Sequence, residues 1–207
     1  MSHRAIEFWV GFGSTYSYLS VMRIDQALAG TGITVDWKPF NIRTMMVEKG
    51  LPTGPFTPRP EKLAYMWRDL ERRAQRRGLP YAKPPQYPVD SQKTVRVAYL
   101  AASEGWCAEF SRKVFSMNFA EGRSIGGPGN LEAALMEIGR DANRTIQRAH
   151  EPDIEEGLAI QTRRAIELGM FGSPHFRVGE ELFWGDDRLE DAIEWCRNGK
   201  LSPSTTC

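Results

Sequence analysis

Gly13-Ser14-Thr15-Tyr16-Ser17 lies between an apolar stretch and an amphipathic one, and its reading decides the fold. The residues before it, 5–11 (A-I-E-F-W-V-G), are rich in β-branched and aromatic types and predict a buried strand. After it, Leu19, Met22, Ala27 and Leu28 mark one face of a helix. Ser14 thus falls at a strand-to-helix turn, where unpaired backbone N–H groups and the positive end of the helix dipole favour an anion. The competing account is an N-cap, the Ser14 hydroxyl accepting a bond from a first-turn N–H. On the local sequence alone the cap is the simpler of the two; the C-terminal part of the chain shifts the balance.

Beyond the first helix, Gly30 and Gly32 punctuate a turn, and residues 33–37 (I-T-V-D-W) alternate as a second strand. A β-α-β unit of this length implies two parallel neighbouring strands with a right-handed crossover. Residues 51–60 (L-P-T-G-P-F-T-P-R-P) are too rich in Pro and Gly for regular structure. Residues 61–77 then predict a strong helix, with Leu63, Met66, Trp67, Leu70 and Ala74 on one face. Its Arg68, Arg72, Arg73, Arg76 and Arg77 are interleaved with Asp69 and Glu71 and lie largely opposite that face, which reads as a solvated basic surface rather than a phosphate stripe.

A second Pro-rich loop, 80–88, leads into helices near 91–104, 107–121, 131–139 and 154–168, the last stopped by Gly169. Strand character returns at 175–178 and 182–184 around a Gly179-Glu180 turn, predicting an antiparallel hairpin. Residues 186–198 close the chain as a helix with Leu189, Ile193 and Cys196 inward. The expected architecture is an α/β domain (1–40 and 169–207) interrupted by an inserted all-helical domain (41–168).

Composition narrows the function classes. A chain of 207 residues can bury a real core, and 41% hydrophobic with 26% charged residues is ordinary for a globular protein. A net charge of +1 gives no reason to expect nucleic acid or membrane as partner. No apolar run approaches bilayer length, and M-S-H-R-A-I-E lacks the long apolar region of a signal peptide, so the expected location is the cytoplasm. Cys107, Cys196 and Cys207 are far apart and form no C-x-x-C pair, which argues against a disulfide framework or a dithiol site. His3, His150 and His175 do not cluster at metal-ligand spacing, so no metal site is expected.

The element order resembles the thioredoxin-like fold carrying a large helical insertion, as in the periplasmic thiol-oxidase type. There the first strand feeds a C-x-x-C at a helix start and a cis-proline opens the third strand. Here Ser14-Thr15-Tyr16-Ser17 takes the first place and Ser173-Pro174 the second, so both sulfurs have become hydroxyls. The chain is similar to the glutathione-dependent branch of that fold, the 2-hydroxychromene-2-carboxylate isomerases and the related kappa-class glutathione transferases. Their N-terminal motif F-x-S-P-Y-S-Y-L reads Phe12-Gly13-Ser14-Thr15-Tyr16-Ser17-Tyr18-Leu19 here. Phe171-Gly172-Ser173-Pro174 and Phe183-Trp184-Gly185-Asp186-Asp187-Arg188-Leu189 look like the isomerase branch more than the transferase branch. The resemblance spans essentially the whole chain, specific at both ends and weak through the insert.

The resemblance implies glutathione as cofactor, with the Ser14 hydroxyl donating to its sulfur. It implies that the backbone of Ser173, ahead of cis-Pro174, pairs with the cysteinyl part. Asp186 and Asp187 would receive the γ-glutamyl amino end, a role compatible with capping the last helix, and Lys62 would meet a carboxylate. Thr15 replaces the usual proline, and Leu51 falls near a glutathione-contacting asparagine of relatives. His175 is unexpected after the proline and reads as a strand residue facing solvent rather than as a general acid. The implied reaction converts 2-hydroxychromene-2-carboxylate to trans-o-hydroxybenzylidenepyruvate by reversible thiolate addition. Its substrate is a small aromatic carboxylate, for which Trp37, Tyr65, Trp67 and Tyr87 are candidate walls, and the implied assembly is a homodimer. A glutathione-consuming transferase and a non-catalytic binding module, in which Ser14 only caps, are the alternatives.

Overall fold

Strand β1 (Ala5–Val10) buries Ile6, Phe8 and Val10 on one face and Trp9 on the other, as a strand covered on both sides must. In this computed structural model, which describes residues 5–203, β1 is central to a four-stranded sheet of order β2-β1-β3-β4. Strand β2 (Thr34–Pro39) runs parallel to it, with Phe8 opposite Trp37. Strand β3 (His175–Val178) lies antiparallel on its other side, and β4 (Glu181–Trp184) closes the hairpin. Both the parallel β-α-β unit and the antiparallel hairpin expected from the sequence are present. The chain has the thioredoxin-like fold with many added helices.

The connection from β1 to β2 is two short helices, α1 (Thr15–Val21) and α2 (Ile24–Leu28), rather than one. They part at Arg23, whose buried guanidinium bonds the Asp186 carbonyl oxygen and the Glu190 carboxylate. Between β2 and β3 the chain forms α3 (Ile42–Glu48), α4 (Pro60–Arg76), α5 (Gln92–Ser103), α6 (Cys107–Phe119), α7 (Asn130–Glu137), α8 (Ala142–Ala149) and α9 (Pro152–Glu167). A 3-10 turn, Asp186–Arg188, precedes α10 (Leu189–Asn198).

Two cores sandwich the sheet. On the larger side, the Phe8 ring lies 5.0 Å from Phe176 and 4.9 Å from Trp37, and Phe12 stacks toward Phe110 and Phe115. On the other side Trp9, Phe40, Met45, Ala165 and Met170 form a smaller cluster where α3 and α9 pack together. Cys107 and Cys196 are buried, whereas His3 and Cys207 fall outside the described residues. Among the described residues no helix is long and apolar enough to cross a membrane.

The approach of α3 to the end of β1 sets the geometry of the turn that follows. A Cβ on Gly11 would stand 2.7 Å from Cβ of Ile42, a contact no side chain tolerates. Gly11→Ala should therefore push α3 outward and destabilise the protein by about 1–3 kcal/mol, as overpacking does. Urea unfolding checks it; an unchanged midpoint would mean that α3 is free to yield.

Candidate active site

Ser14 occupies the N-cap position of α1 with extended backbone, and its N–H donates to the Gly11 carbonyl at 3.1 Å. Its hydroxyl makes no cap bond. Ser14 Oγ instead donates to the backbone carbonyl of Ser173, 2.7 Å away and 159 residues distant in sequence. The cap, the simpler account on local sequence, is not what this side chain does. The Ser173-Pro174 peptide is cis, and Ser173 Oγ is held by the Gly11 N–H and by Ser17 Oγ, each at 2.8 Å. Ser17, fully buried, is a site residue that sequence reasoning placed in the motif without giving it a task. Its task is to tie the Ser14 helix to the segment carrying Ser173.

Above these hydroxyls opens a cavity of about 490 Å³. Gly13, Ser14, Tyr16 and Ser173 line it from the turn, and the irregular 51–56 segment, with Leu51 and Phe56, covers it from one side. Of the four aromatic residues considered as walls, Tyr65 and Tyr87 line it. Trp67 sits behind Tyr87 at 5.0 Å between rings, and Trp37 packs on Phe8 in the sheet. Phe171 and Trp184, not singled out beforehand, are lining residues whose rings meet at 4.7 Å. Lys62 also lines the cavity, its Nζ 5.3 Å from the centre of the Phe56 ring. The other charged lining residue is Arg43, which went unnoticed because its helix was not predicted.

Tyr16 turns its hydroxyl away to donate to Asp69 at 3.0 Å, and Arg73 lies over its ring. Burial, the hydrogen bond to Asp69 and that carboxylate's charge raise its pKa far above the ordinary phenol range, so it stays protonated.

The acidic pair is split. Asp186 is only 1% exposed, with Arg73 Nη2 at 2.8 Å and Arg77 Nη2 at 3.5 Å. These are ion pairs by distance, but neither carboxylate oxygen has a partner in good hydrogen-bond geometry. Burial pushes the carboxyl up to about 6 despite the opposing pull of Arg73, Arg77 and Arg23. Asp186 thus faces inward to the arginines and is not among the residues that line the cavity. Its backbone neighbour Asp187 is exposed and folds back over Gly185, though it too stands outside the cavity lining. The same contacts correct the reading of this basic face as solvated: Arg73 of α4 and Arg77 at its end are structural partners of Asp186.

His175 does not face solvent. It is 1% exposed, its ring edge-on to Phe171 at 5.2 Å and 6.5 Å from Trp184. Nδ1 lies 3.0 Å from the Gly172 carbonyl, which can only accept, so the neutral ring carries its proton there and Nε2 is left without a partner. Burial pulls its pKa down to about 4. At neutral pH it is an uncharged imidazole that supports the aromatic wall from behind.

The chain is 28% identical over 185 residues to a 2-hydroxychromene-2-carboxylate isomerase of Pseudomonas putida, covering 89% of this chain and 90% of the relative. It is 23% identical to the isomerase of that name from Sphingobium xenophagum, covering 90% and 95%. A solved 2-hydroxychromene-2-carboxylate isomerase superposes with TM-score 0.79 at 27% identity, covering 89% and 90%. The cytosolic disulfide reductase DsbM of Pseudomonas aeruginosa, solved with GSH, shares the fold at TM-score 0.60 and 20% identity, covering 93% and 95%. The description of the DSBA-like thioredoxin domain matches residues 5–194. The chain belongs to the DSBA-like thioredoxin family, and its relatives include 2-hydroxychromene-2-carboxylate isomerases.

Proposed function

We propose that this protein is a glutathione-dependent isomerase that converts 2-hydroxychromene-2-carboxylate to trans-o-hydroxybenzylidenepyruvate. The observation that carries the reading is the Ser14 hydroxyl, bonded to the Ser173 carbonyl at the base of a cavity whose charged lining residues are cations. Relatives of that name at 23–28% identity support it, and DsbM solved with GSH is a neighbour of the same fold.

The residues present fit a thiol tripeptide. The cavity has room for it and for an aromatic acid beside it, and Ser14 and Ser173 offer a donor and an acceptor side by side. The chemistry glutathione supplies when bound is reversible thiolate addition to an unsaturated carbon, which permits rotation about the resulting single bond and restores the thiol on elimination.

The protein's own part is electrostatic. Ser14 rotates its hydroxyl from the Ser173 carbonyl to the sulfur, and a donor there lowers a thiol pKa that is ~8.5 when free. The vacated Ser173 carbonyl takes the cysteinyl N–H, Lys62 takes a carboxylate, and Asp187 remains the acidic side chain open to the γ-glutamyl amino group. Pro174 holds the strand that presents Ser173. The α1 helix has only seven residues, so its dipole is a minor contributor beside the hydroxyl. A small aromatic carboxylate as substrate, a homodimer and a cytoplasmic setting complete the proposal.

An ultraviolet assay with 2-hydroxychromene-2-carboxylate, with and without glutathione, tests it. Rapid approach to equilibrium only with glutathione, and with no glutathione consumed, is the expected result. Consumption would mark a transferase, and no acceleration would remove this substrate.

A further inference from the structure

We infer that Arg43 is the residue that selects a carboxylate on the second substrate, so that the cavity takes an aromatic acid in preference to a neutral aromatic. This rests on the proposed function only in naming glutathione as the other occupant. The juxtaposition that carries it is a guanidinium that, among the described residues, has no acidic partner, beside a wall of exposed aromatic rings.

Arg43 lies in the first turn of α3, a helix fixed at both its start and its buried face. The Asn41 side chain accepts from the Thr44 N–H at 3.2 Å, the Asn41 N–H donates to Thr162 Oγ1 at 3.0 Å, and Met45 and Met46 are buried. Its neighbour Ile42 packs directly on the turn, Cγ2 lying 3.6 Å from where a Gly13 Cβ would stand. The Arg43 side chain therefore starts within one residue of the Ser14 turn and lines the same cavity.

Four arginines on or just after α4 are committed elsewhere. Arg68, Arg72, Arg73 and Arg77 all pair with acidic groups. Among the described residues no carboxylate pairs with Arg43, and none lines the cavity. A guanidinium in that position is matched to a planar carboxylate, which it binds with two parallel hydrogen bonds.

The rings supply the rest of the recognition. Tyr65 (63% exposed), Trp184 (53%) and Phe171 (49%) are large side chains left in contact with water around the cavity. Exposed apolar surface gathered at one concave place marks a binding site rather than a chance surface. A flat aromatic body set against those rings leaves its carboxylate to the cation beside the turn.

The test uses trans-cinnamate and cinnamyl alcohol, an aromatic acid and its uncharged counterpart, titrated calorimetrically into the whole protein and into Arg43→Met. Circular dichroism confirms that the variant is folded. The expected result is a ten- to hundred-fold loss of cinnamate affinity, the scale of a charge-assisted hydrogen-bonded pair, with cinnamyl alcohol and glutathione affinities unchanged. Arg43→Lys should recover part of the loss. Equal binding of cinnamate by both proteins, no cinnamate binding by either, or a parallel loss of glutathione affinity would each overturn the assignment. Failure of the isomerase assay alone would leave it standing, because the binding measurement does not depend on turnover.

Discussion

Ser14→Ala should reduce glutathione-dependent isomerisation on the order of 10²- to 10³-fold at neutral pH, the usual effect of removing one preorganised donor to a developing or fixed anion. The fold should survive. Ser14 makes no capping bond to lose, and the bond from Ser14 Oγ to the Ser173 carbonyl is worth only about 1 kcal/mol net. The diagnostic readout is the pH profile. With the hydroxyl in place, activity should rise with an apparent pKa below that of the free thiol; without it, the rise should move toward ~8.5, and the variant should partly catch up in alkaline solution. A variant as active as the wild type at pH 7, with the same profile, would remove Ser14 from the chemistry.

Acidification should expose opposing contributions to stability from two buried groups. His175 titrates near 6.5 unfolded and at about 4 in the folded protein. Between those values the unfolded chain holds more protons, so stability from this residue is full above pH 6.5 and lost as pH falls toward 4, by about 3 kcal/mol in all. Asp186 shifts the other way, from 3.8 unfolded to about 6 folded. Its carboxyl stabilises the fold most below pH 4 and loses that contribution as pH rises through 6. The two slopes oppose each other between pH 4 and 6, which should leave a shallow profile there. His175→Phe, which keeps an aromatic ring against Phe171, removes one slope. Relative to the wild type, the variant should gain stability on going from pH 7 to pH 4, and urea unfolding of both across that range measures it. Parallel curves for variant and wild type would show that His175 keeps an ordinary pKa.

The same residues show where sequence pattern stops being informative. The strand, the Ser14 turn, the hairpin and the closing helix were legible because each is a short-range pattern of apolar spacing and turn residues. Helices α3 and α8 escaped because they are short: α8 buries only Ala142 and Ala149, and α3 offers little beyond Ile42, Met45 and Met46 to mark a face. Arg43 went unread with its helix. The destination of Asp186 was hidden because its partners Arg73 and Arg77 lie more than a hundred residues earlier, and each looks like a surface residue until both are placed. His175 was misassigned for a related reason. Strand alternation gives the face a side chain takes, but not whether Phe171 and Trp184 will cover that face.

The bond between Ser14 and Ser173 also fixes when the site can come into being. During synthesis β1 meets β2 early, since both lie within the first forty residues, but its other neighbour is near the far end of the chain. Such distant pairings come late and slowly because a long loop must close first. A nascent chain stopped after α9 would hold the β-α-β unit and most of the helices, yet expose one open edge of β1 and no partner for the Ser14 hydroxyl. That interval is when a chaperone has an edge strand to shield.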